Sequence, residues 1–175
     1  MSTVIIVVAQ YLLYVLVIVA GVVWLTCDRR GKVLLAAEAV VGLAVVGIGI
    51  WAAAALHADP RPFVHDPSSR PLFPHAADNG FPSDHSAAAG LLAALVFRYR
   101  RAVGVLVAAG GVLIAWARVA AHVHHAQDVV AGLLIGLVAG VLAIWVVERV
   151  VAALERRGMS TGARAVTTAD KASGR

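Results

Sequence analysis

The sequence predicts an all-α fold: a polytopic transmembrane helical bundle of about five spans, with its N-terminus outside and its C-terminus in the cytoplasm. Three observations carry that prediction. Of the 175 residues, 61% are hydrophobic and the mean hydropathy is +0.85, more apolar surface than a soluble domain of this length can hide from water. The apolar residues fall in runs near the ~20 residues needed to cross hydrocarbon. Twelve of the fifteen Lys and Arg residues sit on one side of those runs, as expected of cytoplasmic loops.

The spans read in order as Thr3–Leu25, Val33–Leu56, Ser83–Phe97, Ala102–Ala121 and Ala126–Val147. The third is short in apolar terms because Ser83, Asp84 and His85 occupy its first turn. Between the second and third lies a polar stretch, residues 57–81, that holds five of the six prolines. Connections of that length tend to be functional or to carry short surface helices. One transmembrane domain, residues 1–157, is expected, followed by a charged Gly/Ser/Thr-rich tail, residues 158–175, expected to be disordered and cytoplasmic. The amino-terminal run is too long for a signal peptide and lacks a preceding basic residue. The single Cys27 excludes an internal disulfide.

Orientation follows from charge. Arg29, Arg30 and Lys32 follow the first span, Arg98, Arg100 and Arg101 the third, and the remaining basic residues of this face lie in the tail. Only Arg61, Arg70 and Arg118 lie on the other face. The net charge of +5 therefore has a membrane reason, and no nucleic-acid partner is expected. Trp24, Trp51, Trp116 and Trp145 fall near span ends, as in an aromatic belt. All seven histidines fall on the non-cytoplasmic side, so four sequence-distant polar segments converge on one surface.

Three pieces of that surface have the residue types of phosphoryl transfer: Pro60-Arg61-Pro62, Pro82-Ser83-Asp84-His85, and Arg118 followed by His124 and Asp128. Arg61 and Arg118 offer planar forks that bind phosphate oxygens bidentately and keep their charge. Ser83 is placed as the N-cap of a helix whose first backbone N–H groups favour an anion. His124 and Asp128 are four apart and share a face if the last helix begins early enough. Asp128 would then fix the tautomer of His124 and leave its other ring nitrogen free to attack, with His85 as general acid.

These motifs resemble the signatures of the type 2 phosphatidic acid phosphatase superfamily, which also includes vanadium haloperoxidases. The pattern there is Lys, six residues, Arg-Pro; then Pro-Ser-Gly-His; then Ser-Arg, five residues, His, three residues, Asp. Within the superfamily, the run from Pro74 to His85 is similar to the BcrC-type undecaprenyl-diphosphate phosphatases, and the likeness extends over about Leu56–Gly136. Three positions depart: Ala54 where the pattern has Lys, Ala117 for the Ser before Arg118, and Asp84 for the Gly before His85. Arg70 or a protonated His57 could supply the missing cation; neither is assigned from sequence, and only Arg70 is kept, as a weak candidate.

The resemblance implies an integral membrane enzyme that hydrolyses undecaprenyl diphosphate to the monophosphate through a phosphohistidine on His124, on the outer leaflet of the cell membrane and in the service of cell-wall synthesis. His85 and Asp128 complete the catalytic set, and Arg61, Ser83, Arg118 and Asp84 bind phosphate. No metal or cofactor is implied. The same signatures permit a phosphatase of phosphatidate or phosphatidylglycerophosphate.

Other classes fit less well. Adjacent His124 and His125 point about 100° apart on a helix and cannot both face one ion. A bis-histidine haem protein needs its histidines within facing spans, not at span ends. A transporter or scaffold would be favoured by an ionisable residue within hydrocarbon, and only Glu38 qualifies; it is expected to pair with Lys32 or Arg30 or to snorkel. His57, His65, His75 and His125 are expected as loop or interface residues. Gly132, Gly136 and Gly140 recur at four and allow close helix approach, either within the chain or as the face of a dimer.

Overall fold

The computed structural model describes residues 1–66 and 68–157 in full and the helical backbone as far as Ser173. The expected disordered tail, residues 158–175, falls outside the fully described residues. The elements are α1 (Ser2–Thr26), α2 (Arg29–Leu56), a one-turn α3 (Pro62–His65), α4 (Asp84–Tyr99), α5 (Arg101–Ala120) and α6 (Ala126–Ser173). Among the described residues there is no strand, only an isolated bridge between Pro60 and Asn79. The all-helical expectation is met.

Four helices are long and apolar enough to cross a membrane: Ser2–Thr26, Arg29–Leu56, Arg101–Ala120 and Ala126–Arg157. They carry large exposed apolar side chains, among them Ile18, Ile48, Leu106 and Val138, which suit a lipid surround. The remaining expected span corresponds to α4, which has 16 residues and a different surface. It packs against α1, α2, α5 and α6, and Ala87, Ala89, Gly90, Leu91, Ala94 and Val96 along it are all buried. A helix covered by protein on all sides reads as small and apolar all round rather than as a lipid-facing stripe.

Turn chemistry sets the ends. Asp28 caps α2 by accepting from the Gly31 N–H at 2.9 Å, so the turn from α1 is only Cys27-Asp28. A single residue, Arg100, separates α4 from α5. At this end of the bundle Arg30 pairs with Glu155 and Arg98 with Glu148. Glu38 departs from its expectation. It is fully buried and accepts from the Tyr99 hydroxyl at 2.9 Å, because its place on α2 faces the end of α4 rather than the basic turn.

The glycine stripe of α6 is turned inward. A Cβ at Gly132 would lie 2.4 Å from the Ser83 carbonyl oxygen, one at Gly136 1.9 Å from that of Ala87, and one at Gly140 2.5 Å from Ala94 Cβ. The dimer face entertained for Gly132, Gly136 and Gly140 is therefore corrected: α4 already occupies it, and the small residues serve close packing within the chain. Because backbone atoms cannot retreat as a side chain can, Gly136→Ala should destabilise the protein by about 3 kcal/mol or more. A lowered thermal midpoint in detergent would show it; an unchanged midpoint would mean that α4 and α6 are farther apart.

This packing brings the start of α1, the end of α2, the start of α4, the end of α5 and the start of α6 to one end of the bundle. Ile5, Ile6 and Ala9 of α1 pack there with Phe73, Ala117, Ala121 and Val123.

Candidate active site

Two connections shape that end. The long one, residues 57–83, is stapled by Asn79, whose side-chain oxygen accepts from the Asp59 and Phe81 N–H groups at 2.9 and 3.1 Å. The Gly80 N–H donates to the Asp59 carbonyl, and Ser83 N–H to that of Asp128, tying the starts of α4 and α6 together. The short one, from α5 to α6, passes through His122 in the left-handed region at φ 59°.

A cavity of about 300 Å³ lies between them, with Arg61, His75, Asp84, His85, Arg118 and His124 on its wall. Arg61 is buried at 6% exposure and held on three sides. Its Nε donates to Asp78 Oδ1 at 2.7 Å, and one Nη1 donates to the Val123 carbonyl at 2.8 Å and approaches His124 Nε2 at 3.3 Å. That hydrogen bond from Arg61 holds the Asp78 carboxyl below its ordinary value. Arg118 Nη2 lies 2.9 Å from His75 Nε2 and 3.2 Å from His124 Nε2, with the guanidinium 5.9 Å from the Phe73 ring.

His124 thus has one ring nitrogen between two guanidinium groups. A guanidinium can only donate, so Nε2 must carry the lone pair and Nδ1 the proton. The latter faces Asp128 Oδ2 at 3.3 Å. The spacing works although α6 begins only at Ala126, because Asp128 also reaches back to accept from the His125 N–H at 2.8 Å, half of a capping box. Asp128 is fully buried. Burial foremost, then the positive charge of Arg118 and Arg61, hold His124 below its ordinary value of 6.5 against the raising hydrogen bond from Asp128. Its neutral, nucleophilic form is therefore favoured at neutral pH.

The other expected residues sort unevenly. His85 and Asp84 both lie on the cavity wall. Ser83 does hold the N-cap position, yet its side chain makes no capping bond; it is fully buried behind the wall with Oγ unpartnered. Ala54 lines the cavity, so the position of the pattern's lysine is at the site and carries no charge. Neither Arg70 nor His57 is on that wall: Arg70 is exposed, and His57 stands edge-on to Phe81 at 4.8 Å.

His75, expected as a loop residue, is on the wall. Burial first, then Arg61 and Arg118, hold its imidazole below the ordinary value. Asp78 and Asn79 also join the site. All three belong to the run Pro74–His85, whose polar density was the available signal. Asp59, His125 and Asp128 bring potential ligand atoms within 4.8 Å of one another; here His125 Nδ1 faces Asp59 Oδ2 at 3.0 Å, and Asp128 Oδ2 is taken by His124 and the His125 N–H.

The PAP2 superfamily profile matches residues 32–152. Among curated proteins, the chain is 30% identical over 137 residues to the "bacitracin transport permease protein BcrC" of Bacillus licheniformis, covering 78% of this chain and 67% of that protein. It is 26% identical over 143 residues to the "undecaprenyl-diphosphatase BcrC" of Bacillus subtilis (strain 168), covering 81% and 72%. Among solved structures, the crystal structure of Aquifex aeolicus LpxE aligns with a TM-score of 0.62 at 23% identity over 80% of each chain, a likeness of fold.

Proposed function

The chain belongs to the PAP2 superfamily, and from that membership we propose that it is an integral membrane lipid phosphatase that hydrolyses undecaprenyl diphosphate to undecaprenyl phosphate. The observation that carries this reading is the lone pair of His124 Nε2, set where the donors of Arg61 and Arg118 converge. A phosphoryl group drawn to those guanidinium groups meets the nucleophile.

In the first step a bond forms between His124 Nε2 and the terminal phosphorus, and the bond from that phosphorus to the bridging oxygen breaks. The departing lipid phosphate takes a proton from His85. Asp128 stabilises the ring's charge through Nδ1–H. Water then attacks the phosphohistidine, His85 takes up its proton, and orthophosphate leaves as the P–N bond breaks. Arg61 and Arg118 hold the equatorial oxygens, where transition-state charge is spread; the first N–H groups of α4 are further donors, and Ser83 Oγ would join them only if the wall in front of it opens on binding. None of these roles requires a metal.

Five spans, with α4 as the protein-sheathed third, would put the site on the extracytoplasmic face, since the basic turns lie at the opposite end. That placement suits recycling of the carrier lipid for cell-wall synthesis. The deciding experiment is phosphate release by purified protein from a prenyl diphosphate and a phosphatidate in parallel. The expected result is turnover of the diphosphate at a higher kcat/KM, inhibited by vanadate and retained in chelator. Preference for phosphatidate would replace the substrate, and the absence of turnover on either would remove the hydrolase reading.

A further inference from the structure

A second cavity, of about 370 Å³, adjoins the first. It shares His75, His85 and Arg118 with the catalytic cavity, and its far wall is Tyr11 and Tyr14 of α1. His124 and Arg61 line only the first. The two spaces are thus divided by one guanidinium and two imidazoles. Tyr11 and Tyr14 are 56% and 64% exposed on a helix long and apolar enough to span, so the second cavity opens on the side that faces lipid.

In-line displacement sets the attacking nitrogen and the leaving oxygen on opposite sides of phosphorus. With His124 lining the first cavity and not the second, a leaving group directed from it toward the shared partition would enter the second. An alcohol leaving group needs one proton donor there, which His85 supplies, and then apolar walls. The partition holds more than that. Arg118 is only 4% exposed and its Nε has no partner, and His75 Nε2 is occupied only by Arg118 itself. A buried donor without an acceptor, as at Arg118 Nε, is costly unless a ligand supplies one.

We propose that the second cavity is a subsite for the phosphate retained by the lipid, with Arg118 and His75 as its ligands and Tyr11 and Tyr14 flanking the exit of the hydrocarbon chain. This deepens, and rests on, the reading of His124 as the nucleophile of a lipid phosphatase, and it makes the substrate class a lipid diphosphate. Arg118 carries five N–H donors, so its unpartnered Nε can serve the retained phosphate while its other donors hold the transferred phosphoryl group, and His75 Nε2, once protonated, bonds to an oxygen of the retained phosphate. The charged and titratable groups around His75 are Arg61, Arg118, His85 and His124, with Asp78 and Asp84 across the first cavity.

The test uses non-hydrolysable soluble probes, so it does not depend on turnover. Binding of methylenediphosphonate and of methylphosphonate to the purified full chain is measured by calorimetry. The wild type should prefer the diphosphonate by about tenfold or more, the worth of one or two added charge-assisted hydrogen bonds. In His75→Ala that ratio should fall toward one, and in His75→Lys it should persist. Tyr14→Trp, which fills the second cavity from its opposite wall, should lower the same ratio should the alanine variant fail to fold. A wild-type ratio near one, or a ratio unmoved in both His75→Ala and Tyr14→Trp, would overturn the subsite. A tenfold preference without phosphate release from any lipid diphosphate would remove the hydrolase reading and leave the subsite standing; release with a ratio near one would do the reverse.

Discussion

His124→Ala should lower kcat by at least about four orders of magnitude, the scale seen when a covalent nucleophile is removed and only binding and charge stabilisation remain. The prediction follows from position more than from residue type. Seven histidines are present, and three of them line the cavity, yet only His124 has its free ring nitrogen within 3.3 Å of one guanidinium and 3.2 Å of the other. His85 lies on the same wall without such a pair among its described contacts. Quenching in alkaline detergent during turnover, followed by phosphoramidate-specific detection, should find base-stable, acid-labile phosphate on the wild type and none on His124→Ala. Full activity in that variant, or label retained by it, would move the nucleophile elsewhere.

Much of this site could be read from sequence because its parts sit at helix ends. A bilayer forces long apolar runs, so the polar residues that interrupt them are conspicuous, and the alternation of spans sends every second end to the same side. Arg61, His85, Arg118, His124 and Asp128 were all accessible in this way. The contacts that complete the cavity were not. His75, Asp78 and Asn79 lie in an irregular connection where no period fixes direction, and their partners across the site are between 17 and 43 positions away at Arg61, Asp59 and Arg118. The choice between a dimer face and internal packing for the glycines of α6 likewise depends on which neighbour arrives, and α4 arrives. Glu38 shows the same limit: its charge invited Lys32 or Arg30 at the start of its own helix, whereas the tertiary fold supplies Tyr99.

Asp128→Asn isolates the orienting role of the carboxylate and should cost about 10⁴-fold in kcat, the size of effect expected when an imidazole is held in the wrong tautomer. An asparagine of the same shape can turn its NH₂ group toward Nδ1. The ring proton then moves to Nε2, where it confronts two guanidinium groups that have no acceptor to offer, and the lone pair needed for attack is gone. The pH profile separates this role from loss of fold. In the wild type, His124 titrates below 6.5 because burial and the two arginines outweigh Asp128, so kcat/KM, which reports the free enzyme, should hold its plateau as pH falls to 6.5 and decline only below it. The aspartate is the group that raises that value, so its removal should carry the acid limb lower still while the plateau collapses. Because both proteins are compared on one substrate, ionisation of the substrate's own phosphate cancels from the shift. An acid limb that stays in place, or moves upward, would mean that Asp128 supports the helix start through the His125 N–H and does not tune the nucleophile.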